Sequence, residues 1–255
     1  MNDSPLQVIW IRVGIVEFDV SWSRRPDIAL RDSQFAGMED EKQNLPLTRQ
    51  PGTVLESSRG NRGALARAAL LLRDNVGHRT SIERAYRKAI GEARREVIIA
   101  NAYFVPGARM RKALREAARR GVRVVLLLQG RYEYFMQYHA ARSVYGMLLK
   151  HGIEIHEYAP SFLHAKVAVV DGHWATVGSS NLDPISILLA REANLVVEDE
   201  AFASQLRTEI MDAIQSGGVK VDPELYARRP WRQRMLDLLA YGLMRLMLLL
   251  ARRKY

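Results

Sequence analysis

Apolar residues show two different kinds of spacing in the middle of the chain. Nearly uninterrupted apolar runs occur at 96–104, 122–130 and 153–158, and the stretches between them, 107–120 and 134–151, have apolar residues at helical spacing. Strands that are apolar throughout are typical of a sheet covered on both faces, and strands that alternate with helices form α/β layers. The pattern therefore predicts an α/β domain with a buried sheet.

The pattern continues on both sides of this middle part. Thr80-Ser81-Ile82-Glu83 has the form of a capping box and predicts a helix that ends near Ala93. The runs 165–171 and 174–179 flank Asp171-Gly172, which predicts a hairpin turn. The remaining predicted elements are a strand and a helix, at 193–199 and 201–216. The expected fold is a mixed β-sheet flanked by helices on both faces.

Composition divides the chain into three parts. Residues 8–20 are apolar and β-branched and predict a strand or hairpin, whereas the polar, aperiodic segment from Ser21 to Gly63 predicts a linker or disorder. We therefore expect a poorly defined N-terminal segment at 1–63, the folded domain at 64–220 and a basic amphipathic C-terminal helix at 221–255.

The overall composition narrows the class of protein and of site. Of 255 residues, 48% are hydrophobic and 26% are charged, as in ordinary globular domains, and none is cysteine. A disulfide framework, a thiolate metal site and a cysteine nucleophile are thereby excluded. The first residues lack the basic region of a signal peptide, and no apolar stretch is long enough to span a bilayer. We expect no membrane-spanning segment.

Most of the net charge lies near the C-terminus. Of the formal +10, residues 228–255 carry +7, from eight basic residues and one acidic residue, which indicates an anionic partner, either a membrane surface or a nucleic acid. Within 231–252, a helical projection places five polar residues in one narrow stripe: Arg234, Asp237, Tyr241, Arg245 and Arg252. A helix in the membrane interface, with Trp231 at headgroup level, is favoured over a core-packing helix or a subunit interface.

The candidate chemistry lies in residues 162–181, FLHAKVAVVDGHWATVGSSN. On a strand, His164 and Lys166 project from the same face, and the returning strand of a hairpin brings Ser179 and Asn181 near them. An imidazole beside an ammonium, a hydroxyl and a carboxamide suits the binding and attack of a phosphate. Farther along, Glu192 is positioned to accept a proton from the imidazole and fix its tautomer.

The complete pattern, H-x-K-x4-D-x6-G-S-x-N, adds Asp171 and Gly178 to these residues. It resembles the signature of the phospholipase D superfamily. More narrowly, residues 126–140, 152–172 and 178–186 resemble the C-terminal half of bacterial cardiolipin synthases of the B type. The resemblance covers about residues 65–255 and fails for 1–60.

The resemblance implies a phosphatidyltransferase that works through a phosphohistidine. His164 would be the nucleophile or acid/base, Lys166 would bind phosphoryl oxygens, Ser179 and Asn181 would complete the pocket, and Glu192 would orient the histidine. Asp171 belongs to the motif but is more often a structural ion-pair partner. Since lysine and amide donors neutralise the phosphate charge, neither a metal nor another cofactor is required.

The chain departs from the family in carrying one motif, because none of the other five histidines has a lysine two residues later. A second motif is therefore expected from another subunit, in a homodimer or with a partner half. The implied partners are an anionic phospholipid membrane and a glycerophospholipid such as phosphatidylglycerol, with a peripheral location on the cytoplasmic side of a bacterial cell membrane. The alternatives are a dimeric single-motif phosphodiesterase or nuclease that acts on nucleic acid, and an inactive truncated half.

Three other features have both a structural and a functional interpretation. His139 lies among aromatic residues that either pack a helix or line a lipid headgroup cleft, with packing favoured. The basic helix at 107–120 is most simply a solvated face, with contact to anionic lipid as the alternative. His156, within the strand at 153–158, is expected to be a satisfied polar group near the sheet edge.

Overall fold

A computed structural model describes residues 53–55, 67–73, 80–183 and 192–252. The strand or hairpin predicted at 8–20 lies outside these residues. Strand β1 (Thr53–Leu55) lies within the segment expected to be a linker, and it pairs antiparallel with β2 (Arg67–Arg73). A short part of the expected linker is therefore part of the sheet.

The described residues form nine strands and six helices. After β1 and β2 they are α1 (Ser81–Glu92), β3 (Glu96–Asn101), α2 (Ala108–Arg119), β4 (Arg123–Gln129), α3 (Phe135–Leu149), β5 (Glu154–Tyr158), β6 (Lys166–Val170), β7 (Trp174–Gly178), β8 (Glu192–Glu198), α4 (Glu200–Gly217), β9 (Gly218–Lys220), α5 (Pro223–Ala227) and α6 (Trp231–Arg252). Every element predicted between 80 and 216 is present close to its expected bounds. The short strand β9 has no counterpart in the prediction, and α5 and α6 are two helices where a single C-terminal helix was expected at 221–255.

All nine strands belong to one mixed sheet, in the order β1-β2-β8-β7-β6-β3-β4-β5-β9. The three strands β3, β4 and β5 are parallel to one another, and the other neighbours are antiparallel. Helices α1, α2 and α3 cover one face, and α4 covers the other. The prediction of a mixed sheet with helices on both faces is confirmed.

The central strands are apolar throughout because each contributes side chains to two cores. On β3, Ile99 packs beneath α1 to α3 and Ile98 packs against the α4 side, and on β4, Leu126 and Leu127 divide in the same way. All four side chains are almost completely buried. Alternate residues of a strand point to opposite faces, so a sheet covered on both faces needs an apolar residue at every position.

Helix α1 begins at Ser81, as predicted, but the capping box does not form. The Thr80 side chain makes no hydrogen bond to the helix N-terminus, and Thr80 has φ −119° and ψ 7°, outside the extended conformation of most N-caps. Glu83 instead lies 3.6 Å from Arg87, one turn farther along the helix. The acidic side chain is thus drawn forward to a basic one rather than back to the N-cap.

Helix α6 packs against the domain with the polar stripe partly turned inward. Asp237, Ala240 and Met244 are buried, and Tyr241 is partly buried. Met244 contacts Ala140 of α3 in a small separate core. Within the described ranges, no helix is long and apolar enough to cross a membrane.

Candidate active site

Two residues of the motif meet where β6 begins. Lys166, the first residue of β6, is only 4% exposed and lies opposite Asn101 of β3. Its ammonium donates a hydrogen bond to the main-chain carbonyl of His164 at 3.0 Å. His164 precedes the strand and is exposed. An accessible imidazole therefore lies beside a buried cation.

Burial and neighbouring charges set the protonation of this pair. Partial burial and the Lys166 ammonium lower the pKa of His164, although Glu133 opposes them. Burial also lowers the pKa of Lys166 to about 8, against the opposing effects of Glu192, Glu133 and Asp183. Near neutral pH the imidazole is thus mostly neutral and the lysine mostly charged. A neutral imidazole is the form that attacks phosphorus, and a cation stabilises the phosphoryl oxygens.

The segment that carries Ser179 and Asn181 is held by a close approach of β7 and β8. A Cβ on Gly178 would lie 2.4 Å from the Asn194 side chain of the neighbouring strand, so only glycine fits there. Asn194 also accepts a hydrogen bond from the main-chain N–H of Ser180 at 3.3 Å. The glycine of the motif therefore has a packing role, because it lets Asn194 fix the backbone of the next residues.

Glu192 is bound by two partners other than the expected imidazole. The Ser179 hydroxyl donates a hydrogen bond to the Glu192 carboxylate. Arg73 lies with Nη2 at 3.8 Å from the same carboxylate, and its Nη1 donates to Ser180 Oγ at 3.2 Å. No hydrogen bond joins Glu192 to His164 within the described residues. The expected contact between the histidine and the carboxylate is therefore not formed, because Glu192 interacts with the Ser179 hydroxyl and the Arg73 guanidinium instead.

Glu192 nevertheless acts on the site through its charge. Burial raises the pKa of its carboxyl group, whereas Ser179, Arg73 and Lys166 lower it and leave a smaller net rise. Burial lowers the pKa of Lys166, and among the carboxylates that raise it, Glu192 has the largest effect. Arg73, Glu192 and Lys166 therefore form a nearly buried set of alternating charges beneath the accessible histidine.

Two buried carboxamides, one of them on Asn101 opposite Lys166, have hydrogen-bonding capacity that the described residues do not use. Asn181 is 9% exposed and its Oδ1 has no partner, and the Nδ2 of Asn101 also lacks one. Asn101 Oδ1 accepts from the Leu182 N–H at 3.2 Å. Unused buried donors and acceptors next to a cation are suited to a polar ligand, since a buried polar atom without a partner is unfavourable.

Asp171 lies at the opposite end of β6 from Lys166 and is not brought to the site. Its carboxylate accepts hydrogen bonds from three successive main-chain N–H groups, those of Arg94 and Arg95 at 2.8 Å and of Glu96 at 2.9 Å. Burial raises the pKa of Asp171, but the three amides and Arg95 outweigh it and lower the pKa overall. Asp171 has φ 53°, in the left-handed region, at the predicted hairpin turn. The structure gives this residue a role in joining the turn to the loop before β3.

Sequence reasoning missed Arg73, Asn101 and Asn194, all of which are buried polar residues of the site. Each ends or interrupts an apolar strand, which is the only signal the sequence offers, and their partners are distant along the chain. Within the described ranges, no three His, Asp or Glu side chains lie close enough together to hold a metal ion.

The chain matches a known family model over its central part. The model described as "Cardiolipin synthase, PLD-like domain" covers residues 86–214. Cardiolipin synthase B of Escherichia coli (strain K12) and of Salmonella typhi are each 46% identical to the chain over 180 residues, which is 71% of this chain and 44% of theirs. Cardiolipin synthase A of Proteus mirabilis is 32% identical over 160 residues, 63% of this chain and 33% of that protein. The chain spans less than half the length of these curated relatives.

Solved structures agree on the fold. Nuc from Salmonella typhimurium, a phospholipase D family member, aligns with a TM-score of 0.52 at 20% identity and covers 61% of this chain and 98% of its own. A phosphatidylserine synthase from Haemophilus influenzae aligns with a TM-score of 0.58 at 12% identity, over 75% of this chain and 49% of its own. These likenesses show the fold, and the family match confirms the resemblance drawn from the motif. The chain belongs to the phospholipase D superfamily, in the family of cardiolipin synthase PLD-like domains.

Proposed function

We propose that the chain is a phosphatidyltransferase that moves a phosphatidyl group from one glycerophospholipid to the alcohol of another, as in cardiolipin synthesis. The observation that carries the proposal is the exposed His164 beside the buried, charged Lys166. The 46% identity to cardiolipin synthase B over 180 residues supports this substrate class. His164, Lys166, Ser179 and Asn181 would act as the resemblance implies. Asp171 would have a structural role, and Glu192 would act through its charge on Lys166 rather than orient the histidine.

In the first half-reaction, a nitrogen of the His164 imidazole attacks the phosphorus of phosphatidylglycerol. A nitrogen–phosphorus bond forms while the bond from phosphorus to the oxygen of the headgroup glycerol breaks. The departing headgroup glycerol takes a proton from the histidine of a second motif. Lys166 stabilises the negative charge that builds up on the non-bridging oxygens. The products are a phosphohistidine and free glycerol.

In the second half-reaction, a hydroxyl of another phosphatidylglycerol attacks the same phosphorus. Its proton passes to the second histidine, the nitrogen–phosphorus bond breaks, and the electron pair returns to His164. Two molecules of phosphatidylglycerol thus give one cardiolipin and one glycerol. Both histidines end in the protonation state in which they began.

Thin-layer analysis of radiolabelled phosphatidylglycerol tests the mechanism. We expect cardiolipin from the wild-type chain and from Glu116→Gln, a control on the partly exposed surface of α2, and none from His164→Asn. Equal product from wild type and His164→Asn would contradict a histidine nucleophile. Nicking of plasmid DNA without any lipid product would favour the alternative of a single-motif phosphodiesterase or nuclease.

The proposed reaction needs a second histidine, which we place on another chain. Among the six histidines of the sequence, His164 is the one followed by lysine two positions later. The proposal is a homodimer, or a complex with a partner half, in which two motifs face one phosphate. A two-fold axis through the site would bring identical surfaces together, as closed dimers do.

We further propose that α6 attaches the chain peripherally to an anionic bilayer surface. The side of α6 that faces away from the domain, its outer face, begins with the exposed Arg232 and continues with exposed apolar residues: Met235, Leu238, Leu239, Leu243, Leu246 and Leu250. Arg234 and Arg245 are exposed along one border of this face, and Trp231 at its start is 69% exposed. An apolar face bordered by arginines suits acyl chains and anionic headgroups together.

Co-sedimentation with vesicles tests the attachment. We expect binding to vesicles that contain phosphatidylglycerol, weaker binding to phosphatidylcholine alone, and loss of binding in Leu239→Glu with Leu243→Glu. Leu225→Glu is the matched control, because Leu225 is 68% exposed on α5 rather than on the outer face. Retained vesicle binding by the double variant would contradict the proposal, and so would a change in oligomer mass with no change in vesicle binding.

A further inference from the structure

A second pocket adjoins the segment that carries His164. It lies between the ends of β3 and β4 and the first turns of α3, is partly open to solvent, and has a lining that includes Tyr103, Gln129, Glu133, Tyr134 and Tyr138. We call it the headgroup pocket.

Hydrogen bonds join this pocket to both neighbours of His164. Gln129 Oε1 accepts from the Leu163 N–H at 3.2 Å, and the Ala102 N–H donates to the Ala165 carbonyl at 2.9 Å. Gln129 and Ala102 both belong to the pocket lining. A molecule in the pocket would therefore lie next to the imidazole that carries the phosphatidyl group.

The pocket presents hydroxyl, carboxylate and amide groups together. The Tyr103 hydroxyl donates to Glu133 Oε2 at 2.6 Å. The Nε2 of Gln129 is buried and has no hydrogen-bond partner within the described residues. A donor that is left without a partner, beside a carboxylate that accepts, matches the paired donor and acceptor character of an alcohol hydroxyl.

The charged side chains of the pocket lining have partners within the protein. Glu133 accepts a hydrogen bond from Tyr103, and Arg131 Nε donates to a main-chain carbonyl at 2.9 Å. The guanidinium of Arg142 pairs with Glu157 at 2.8 Å and lies 3.6 Å from the centre of the Tyr138 ring, the aromatic face that an amine headgroup would need. A neutral group with hydroxyls and C–H faces remains the best match.

We propose that the headgroup pocket binds the glycerol hydroxyls of the acceptor lipid, with Glu133 and Tyr103 as the residues that position the attacking alcohol. The inference rests on the proposed transfer reaction and adds a site for its acceptor. Glu133 would accept a hydrogen bond from one hydroxyl, Gln129 would donate to another, and the Tyr134 ring would pack against the carbon chain. The acceptor oxygen would thereby be held close to the phosphohistidine.

Two measurements test the pocket, one of which does not depend on turnover. The first is saturation-transfer NMR with the water-soluble headgroup glycerophosphoglycerol. We expect Glu133→Gln and Tyr103→Phe each to weaken its binding about ten-fold, the usual effect of losing a hydrogen bond that involves a charged group. Glu116→Gln removes a surface carboxylate from α2 and is expected to bind like wild type.

The second measurement is the ratio of cardiolipin to phosphatidic acid formed from labelled phosphatidylglycerol. If the pocket positions the acceptor, water replaces it in Glu133→Gln, so the ratio of the two products falls about ten-fold. The ratio is the readout because total donor consumption also depends on the effect of Glu133 on the pKa values of His164 and Lys166. An equal fall of both products, or no change in the ratio, would overturn the positioning role. Tighter binding of glycerophosphoethanolamine than of glycerophosphoglycerol, with loss in Glu133→Gln, would overturn the choice of a polyol.

Failure of this inference is distinguishable from failure of the proposed function. A wild-type chain that transfers no phosphatidyl group, but binds glycerophosphoglycerol through Glu133, would refute the transferase and retain the pocket. A chain that makes cardiolipin, with binding and product ratio unaffected by Glu133→Gln and Tyr103→Phe, would refute the pocket and retain the transferase. A chain with neither transfer nor Glu133-dependent binding would refute both.

Discussion

At the scale of single residues, the burial of Lys166 predicts the pH range of the reaction. Its pKa of about 8 means that the ammonium loses its proton as the pH rises through that value, and only the protonated form binds the phosphoryl oxygens. We therefore expect kcat/KM for the donor lipid to fall on the alkaline side of about pH 8. A pH profile of labelled-lipid turnover measures this limb.

The variant Lys166→Arg tests whether Lys166 causes the alkaline limb, the fall in kcat/KM above about pH 8. A guanidinium keeps its charge at every pH at which proteins are assayed, so the limb should move to higher pH even where the overall rate is reduced. An alkaline limb that stays in place in Lys166→Arg would show that another group causes it.

Asp171 leads to a prediction about stability. Because its carboxylate binds three main-chain N–H groups, Asp171→Ala leaves those donors unpaired, and we expect the free energy of unfolding to fall by about 2 kcal/mol or more. Urea unfolding of Asp171→Ala and of Asp212→Ala, a control at an exposed site on α4, measures the difference.

The pH dependence of that difference has a definite sign. The pKa of Asp171 is lowered in the folded protein, so its contribution is fully present above the ordinary pKa of aspartate and disappears as the pH falls through the folded value. The difference in free energy of unfolding between wild type and Asp171→Ala should therefore become smaller at acid pH. Unchanged stability with abolished lipid transfer would instead indicate a part in the chemistry.

At the scale of elements, one buried carboxylate fixes the orientation of α6. Asp237 lies 2.8 Å from His139 Nδ1 of α3 and 3.0 Å from Nη1 of Arg229. Its partners hold one side of α6 against the domain, which turns the outer face away from it. His139 thus has a helix-packing role in the structure, as favoured from the sequence, whereas the neighbouring rings of Tyr134 and Tyr138 line the headgroup pocket.

The variant Asp237→Asn tests this contact. It keeps the shape of the side chain but removes the charge that His139 and Arg229 share, so we expect faster amide hydrogen exchange throughout α6 and a loss of about 1 to 3 kcal/mol in stability. Hydrogen-exchange mass spectrometry of peptides from 231–252 measures it, with Asp212→Asn as control. Exchange that is unchanged in α6 would show that apolar packing alone holds the helix.

The same helix shows what a sequence pattern can and cannot predict. The projection of 231–252 correctly grouped Asp237 and Tyr241 on one side, because helical spacing alone determines which residues share a face. It could not show that this side turns toward α3, because the partner His139 is far away in the sequence. The strands were predictable for a similar reason, since their apolar runs record burial on both faces.

The candidate site was predictable in part, and the limits are again geometric. Spacing correctly placed His164 next to Lys166, but the expectation that both project from one face of a strand is wrong, because β6 begins at Lys166 and the exposed His164 precedes it. Sequence spacing did not show that Asp171 lies away from the site. Five residues of extended strand span about 17 Å, which puts Asp171 at the opposite end of β6 from Lys166. The motif combines residues of the site with residues that hold the hairpin, and sequence spacing does not distinguish the two. The partners of Glu192 required knowledge of which strand lies beside β8.

At the scale of the whole molecule, α3 connects the two proposed lipid contacts. Tyr138 lines the headgroup pocket, and the next residue, His139, binds Asp237 of α6. The helix that faces the proposed bilayer and the pocket for the proposed acceptor are therefore fixed to the same element.

The number of motifs per chain leads to a prediction about assembly. If one site uses His164 from each of two chains, the active species is a dimer. Light scattering in mild detergent should then report a protein mass of twice the 29.0 kDa of one chain. A strictly monomeric mass, with lipid transfer intact, would contradict the dimer.

Mixing experiments test the shared site more directly. When wild type and His164→Asn are co-purified in equal amounts at fixed total protein, random pairing leaves roughly one quarter of the dimers with two histidines, so activity should fall to about one quarter of the wild-type value. Independent sites would leave about one half. Mixing with Glu116→Gln in the same proportion should leave the activity unchanged, because each of those chains still contributes its histidine. A fall to one half with His164→Asn would therefore place the complete reaction within a single chain.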